Sequence, residues 1–82
     1  MYDIEFSKIA EKQFYKLEKN IQMRIASALE RCKIRPYMHV KKLVGSPYFS
    51  LRVGDYRVIL DIKEKKLIIF VIELGHRRNI YQ

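Results

Sequence analysis

The chain has 82 residues, 49% of them hydrophobic, and 17 basic against 9 acidic side chains, a net charge of +8. That length allows one domain, spanning residues 1–82, and the apolar content excludes a disordered chain. The single cysteine, Cys32, excludes an internal disulfide and a multi-cysteine zinc site, and the longest apolar run, residues 67–72, is too short to cross a bilayer.

Residues 2–6 alternate, with Ile4 between two acids, and predict a strand. Ser7 is placed to cap a helix through an early backbone N–H. Ile9, Ala10, Phe14 and Leu17 then recur at helical spacing, with Lys8, Glu11, Lys12 and Lys16 facing water. Asn20 both interrupts this helix and caps a second, whose apolar stripe is Ile21, Ile25, Leu29 and Cys32, with Ala26 and Ala28 allowing close approach. Arg24, Arg31 and Arg35 form its wet face or meet an acidic partner. Pro36 ends the second helix, because the residue before a proline resists helical geometry.

Residues 36–47 read as a connector closed by Gly45-Ser-Pro47. From 48 to 53 the pattern alternates, with Phe49, Leu51 and Val53 on one face and Tyr48, Ser50 and Arg52 on the other. Gly54-Asp55 is a tight-turn signal, and residues 56–62 form the next strand. Val58 and Leu60 face inward there, which sends Arg57 to the side of Arg52. Lys63-Glu-Lys-Lys66 is a polar hairpin turn. Residues 67–74 are nearly all apolar and predict a central strand or one covered on both faces, ended by Gly75. The element order is β-α-α-β-β-β. The fold class is α+β: an antiparallel sheet with a helical hairpin packed on one face.

The basic excess is uneven, +3 over residues 1–40 (8 basic, 5 acidic) and +5 over residues 41–82 (9 basic, 4 acidic). Such a balance favours nucleic acid, an acidic protein partner or an anionic surface. No phosphate-binding Gly-rich loop appears, and His39 and His76 stand far apart with no ligand at metal spacing. No cofactor or metal site is therefore expected. The residues that remain are a cationic set with tyrosine: Arg52, Arg57, His76, Arg77 and Tyr81, with Lys41, Lys42, Tyr48, Ser50 and Arg78 beside them. Arginine presents a planar fork to phosphate oxygens and stays charged at any working pH. Histidine suits proton transfer near neutrality. The alternative is structural: solvated strand arginines pairing with Asp55 and Asp61, a histidine in a turn, and a tyrosine packed on the sheet edge. Met1-Tyr-Asp-Ile-Glu lacks a signal-peptide pattern, so a cytoplasmic protein away from membranes is expected.

Lys42-Leu-Val-Gly45, then Leu51-Arg-Val-Gly-Asp-Tyr-Arg-Val58, then Gly75-His-Arg-Arg-Asn-Ile-Tyr81 together resemble the RelE branch of the RelE/ParE toxin superfamily. The resemblance covers essentially the whole chain. It implies the toxin of a type II toxin–antitoxin pair that enters the ribosomal A site and cleaves mRNA there without metal. The ribose 2′-oxygen attacks the adjacent phosphodiester and leaves a 2′,3′-cyclic phosphate. It further implies an acidic, helix-rich antitoxin encoded by the adjacent gene. By position, Arg52, Arg57 and Arg77 match arginines on the scissile phosphate, and Tyr81 matches a tyrosine near the reacting nucleotide. The best-known members carry two lysines where Tyr48 and Ser50 stand here, and another where His76 stands. Proton transfer is accordingly expected from His76, Tyr81 or both. Two other readings follow from the same superfamily: a ParE-like toxin that inhibits DNA gyrase by binding, and a degenerate toxin that binds only antitoxin or RNA.

Overall fold

The computed structural model describes residues 1–79. Alternation makes β1 (Asp3–Phe6), with Ile4 and Phe6 against the core and Asp3 and Glu5 exposed. Ser7 caps α1 (Lys8–Tyr15) by accepting from the Ala10 N–H at 2.9 Å. Ala10 is fully buried and Phe14 and Leu17 pack beside it, whereas Ile9 is 63% exposed. A helix of two turns lays down only a narrow inward line, and Ile9 falls beside it.

The second helix, α2 (Lys19–Cys32), starts before Asn20 rather than after it. Glu18 takes the cap position in extended geometry, and its carbonyl accepts from Ile21 and Gln22. This start puts Ile25, Ala28, Leu29 and Cys32 in the core and leaves Ala26 exposed. The Gln22 side chain donates to the Leu17 carbonyl at 2.8 Å and ties the two helices together. Burial pushes the Cys32 thiol up in pKa, with Arg31 pulling the other way, so it is an inert core group. Among the described residues no helix is long and apolar enough to cross a membrane.

The connector contains a 3₁₀ turn, Pro36–Met38, and a two-residue strand that the sequence pattern did not reveal, β2 (Lys41–Lys42). Three longer strands follow: β3 (Phe49–Val53), β4 (Tyr56–Lys63) and β5 (Ile68–His76). Gly54, at φ +58°, opens the β3–β4 turn; a two-residue loop with glycine first is a type II′ hairpin. Leu67 lies in the β4–β5 turn with a left-handed φ of 55°, so β5 begins one residue later than expected, and it runs through Gly75 to His76. The strand order is β1-β5-β4-β3-β2. The three C-terminal strands pair antiparallel, while β1 joins β5 in parallel. A parallel neighbour needs a long crossover, which residues 7–67 supply.

Inside β5 the inward set is Ile69, Val71 and Leu74, a spacing that strict alternation forbids. The pairing explains it. Ile59 pairs with Glu73 and Leu60 with Val71, so Ile72 is an extra residue, a β-bulge. Beyond Val71, β1 has ended and α1 takes over that side of β5. The Ser7 hydroxyl donates to the Ile72 carbonyl at 2.7 Å, and the Leu74 N–H donates to Gln13 Oε1 at 2.7 Å. Ser7 therefore satisfies a helix end and the bulge at once. Ser7→Ala should cost about 1–3 kcal/mol in urea unfolding. Ile9→Ala, on the exposed side of the same helix, should stay within about 0.5 kcal/mol.

Candidate functional site

The face of the sheet turned away from the helices is organised in rows by the strand register. One row runs Lys41, Ser50, Ile59, Glu73 across β2, β3, β4 and β5. The next runs Arg52, Arg57, Gly75. Arg52 and Arg57 are thus directly opposite each other. In a two-residue hairpin the pair flanking the turn exchanges backbone bonds, so Arg52 and Arg57 form a non-hydrogen-bonded pair with Cα atoms about 4.5 Å apart. Like charges placed this way repel, and an anion above them removes the cost.

Arg77 enters from the end of β5. Its N–H donates to the Asp55 carbonyl at 2.8 Å, which pins it to the tip of the β3–β4 hairpin. Asp55, Arg57, His76, Arg77 and Arg78 line a cavity of about 520 Å³. Arg57 is half-buried there, and Arg77 and Arg78 are exposed. Three arginines face one carboxylate, Asp55, in this set, and their planar guanidinium groups suit a phosphodiester. Among the described residues no three His, Cys, Asp or Glu side chains gather to hold a metal ion.

His76 is placed differently from Arg57. Its register partner is Tyr56, which packs toward the core, so alternation turns the imidazole to the helix side while it still borders the cavity. The Tyr56 and His76 rings meet edge-on at 5.4 Å. The Arg78 N–H donates to His76 Nδ1 at 3.2 Å, which leaves the proton of the neutral ring on Nε2. In this state Nε2–H donates a hydrogen bond and cannot accept a proton.

The other expected residues divide. Lys41 and Ser50 lie in the row next to the arginines. Lys42 is on the opposite face, its Nζ 6.0 Å from the centre of the Phe49 ring, because consecutive strand residues point opposite ways. Tyr48 stands just before β3, 38% exposed, its N–H donating to Ser46 Oγ. Tyr81 lies outside the described residues. Arg52 donates from Nε to the Gly54 carbonyl at 3.3 Å and borders a different groove, shared with α2.

Glu73 carries no signal of its own in the sequence pattern. It is half-buried on the open face, diagonal to Arg57 across β4 and β5. The feature that would have found it is the broken alternation of Val71-Ile-Glu-Leu74, which needs a bulge to turn both Leu74 inward and Glu73 outward.

Comparison with known proteins gives this geometry a family. Residues 4–81 match the family model described as the ParE toxin of type II toxin–antitoxin systems. An Escherichia coli protein described as a RelE-like toxin is 32% identical over 95% of this chain and 85% of its own length. The mRNA interferase toxin RelE of Escherichia coli K12 is 28% identical over the same shares. Among solved structures, the intact RelBE toxin–antitoxin complex of Escherichia coli aligns with a TM-score of 0.80 at 26% identity, over 93% of this chain and 96% of the other. The chain belongs to the RelE/ParE superfamily of type II toxin–antitoxin toxins, on its RelE branch.

Proposed function

We propose that this toxin is a ribosome-dependent endoribonuclease that cuts mRNA in the A site by metal-independent attack of the ribose 2′-oxygen. The observation that carries the reading is the opposed pair Arg52 and Arg57, with Arg77 tethered beside them at the hairpin tip. Arg57 and Arg77 on one cavity, with Arg52 opposite Arg57 in the strand register, suit a phosphate that gains negative charge in its transition state. In the reaction the 2′-oxygen bonds to phosphorus and the bond to the 5′-oxygen breaks, giving a 2′,3′-cyclic phosphate and a 5′-hydroxyl. The 2′-hydroxyl proton goes to the Glu73 carboxylate. The leaving 5′-oxygen is held by the Nε2–H of His76 and takes its proton from water, whose hydroxide is neutralised by the proton on Glu73. This division follows from the hydrogen bond at His76 Nδ1, which leaves Nε2–H as a hydrogen-bond donor, and from Glu73 sharing the face of the arginines.

The partner expected for such a toxin is an antitoxin, by analogy with the RelBE complex, and the chain's net charge of +8 favours an acidic one. A gyrase-inhibiting role is the second reading, prompted by the ParE family match.

Primer extension on translating ribosomes should reveal cuts within A-site codons. Gyrase inhibition without cuts would transfer the chain to the second reading, and neither effect would leave a binding-only toxin. Arg57→Ala should lose about two to four kcal/mol of transition-state stabilisation while the circular-dichroism spectrum is retained. Glu73→Gln should slow cleavage by about 10²- to 10⁴-fold without weakening ribosome binding; a wild-type rate would remove Glu73 from the chemistry. Long-range ¹H–¹⁵N spectra at mildly alkaline pH should report His76 as the Nε2–H tautomer. The opposite tautomer would make Nε2 a base instead of a hydrogen-bond donor.

A further inference from the structure

A second groove, of about 450 Å³, lies on the other side of the β3–β4 hairpin. One wall is α2, which presents Arg24, Ser27 and Arg31 at i, i+3 and i+7, a single helical face. The other wall is Arg52, Val53 and Gly54 of the hairpin. Arg24 reaches across: a Cβ built on Gly54 would stand 2.7 Å from Arg24 Nη2. Gly54 thus provides both the turn's positive φ and the room for this guanidinium. No carboxylate borders the groove among the described residues. Within those residues the ion pairs are Lys33–Glu30 and Lys63–Asp61, and neither the Arg24 nor the Arg31 guanidinium has a hydrogen-bond partner.

We propose that Arg24, Arg31 and Arg52 form a second phosphate-binding groove, which holds an RNA backbone on the helix side of the hairpin. The inference rests on the reading that the toxin works on RNA, and adds a subsite to it. Continuity argues for RNA. Arg52 stands opposite Arg57 on the first face and borders this groove too, so the cationic surface passes around the hairpin. Arg24 and Arg31 are two helical turns apart, about 10.5 Å along the axis, so they reach separate, non-adjacent phosphates of one strand. An acidic protein helix fits the groove less well. Helix-in-groove docking draws its affinity from apolar anchors, and the exposed apolar side chain here is Met23 alone, since Val53 is buried.

The test uses the full chain and a fully 2′-O-methylated single-stranded oligonucleotide, which a 2′-oxygen nucleophile cannot cut, alongside vacant ribosomes. Binding is followed across a salt series for wild type, Arg24→Gln/Arg31→Gln and Arg24→Lys/Arg31→Lys, with thermal melts to check the fold. The Gln variant should lower the slope of log affinity against log salt by about 1.4 on the oligonucleotide, about 0.7 for each phosphate no longer neutralised. The Lys variant should keep most of the wild-type slope. Loss on the oligonucleotide assigns the groove to mRNA, and loss on vacant ribosomes alone assigns it to ribosomal RNA. An unchanged slope on both overturns the proposal. So does intact RNA binding with lost binding of an acidic antitoxin peptide. The readout needs no turnover, so a wild type that fails to cut mRNA would overturn the nuclease reading and leave this result standing.

Discussion

The site depends on how β5 changes register at Ile72. Up to Val71 the strand alternates in step with a core on one side; past it, the same rhythm would bury Glu73 and expose Leu74. A buried carboxylate without a partner costs far more than a bulge, so the strand inserts one residue instead. The helix layer makes that insertion tolerable. Ser7 and Gln13 take the backbone groups of β5 that β1 does not reach. One irregularity thereby keeps the core apolar, turns Glu73 onto the open face and brings the end of β5 to the hairpin tip, where Arg77 is held by Asp55.

From this follows a division of labour between the two sides of the sheet. The helix-facing side is a continuous apolar layer with no buried polar or charged residue among the described ones. The open side carries the cationic set. Arg52 and Arg57 come from the β3–β4 ribbon and Arg77 from the turn after β5, and Gly75, in the row of the first two, has no side chain to crowd them.

Much of this was legible in the residues. The alternation of residues 48–53 and 56–62 around Gly54-Asp55 was enough to place Arg52 and Arg57 on one face, because period-two patterning and a two-residue turn leave one register. What escaped the sequence was non-local. The bulge is visible only as a fault in alternation, and its outcome depends on where β1 stops. Lys41 and Lys42 carry no strand signal, and their pairing comes from β3 beside them. Asn20 looks like a cap by composition, yet packing of Ile25 and Leu29 sets the start of α2 at Lys19. Arg24 and Arg31 read as a wetted helix face until the fold sets Gly54 against Arg24 and gathers both arginines in one groove.

The parallel pairing of β1 with β5 has a consequence for the timing of assembly. The first strand finds its partner across almost the entire chain, as the Ser7–Ile72 bond, 65 residues apart, illustrates. Pairings of such separation form late, since the loop between them must be closed before they return any free energy. Synthesis runs from the N-terminus, so a nascent chain lacking β5 has no neighbour for β1, no strand to complete the hairpin sheet and no Arg77 yet. Arg52 and Arg57 emerge before the surface that gives them meaning. The topology thus works as a clock, delaying assembly of the cationic face until the last strand has been delivered.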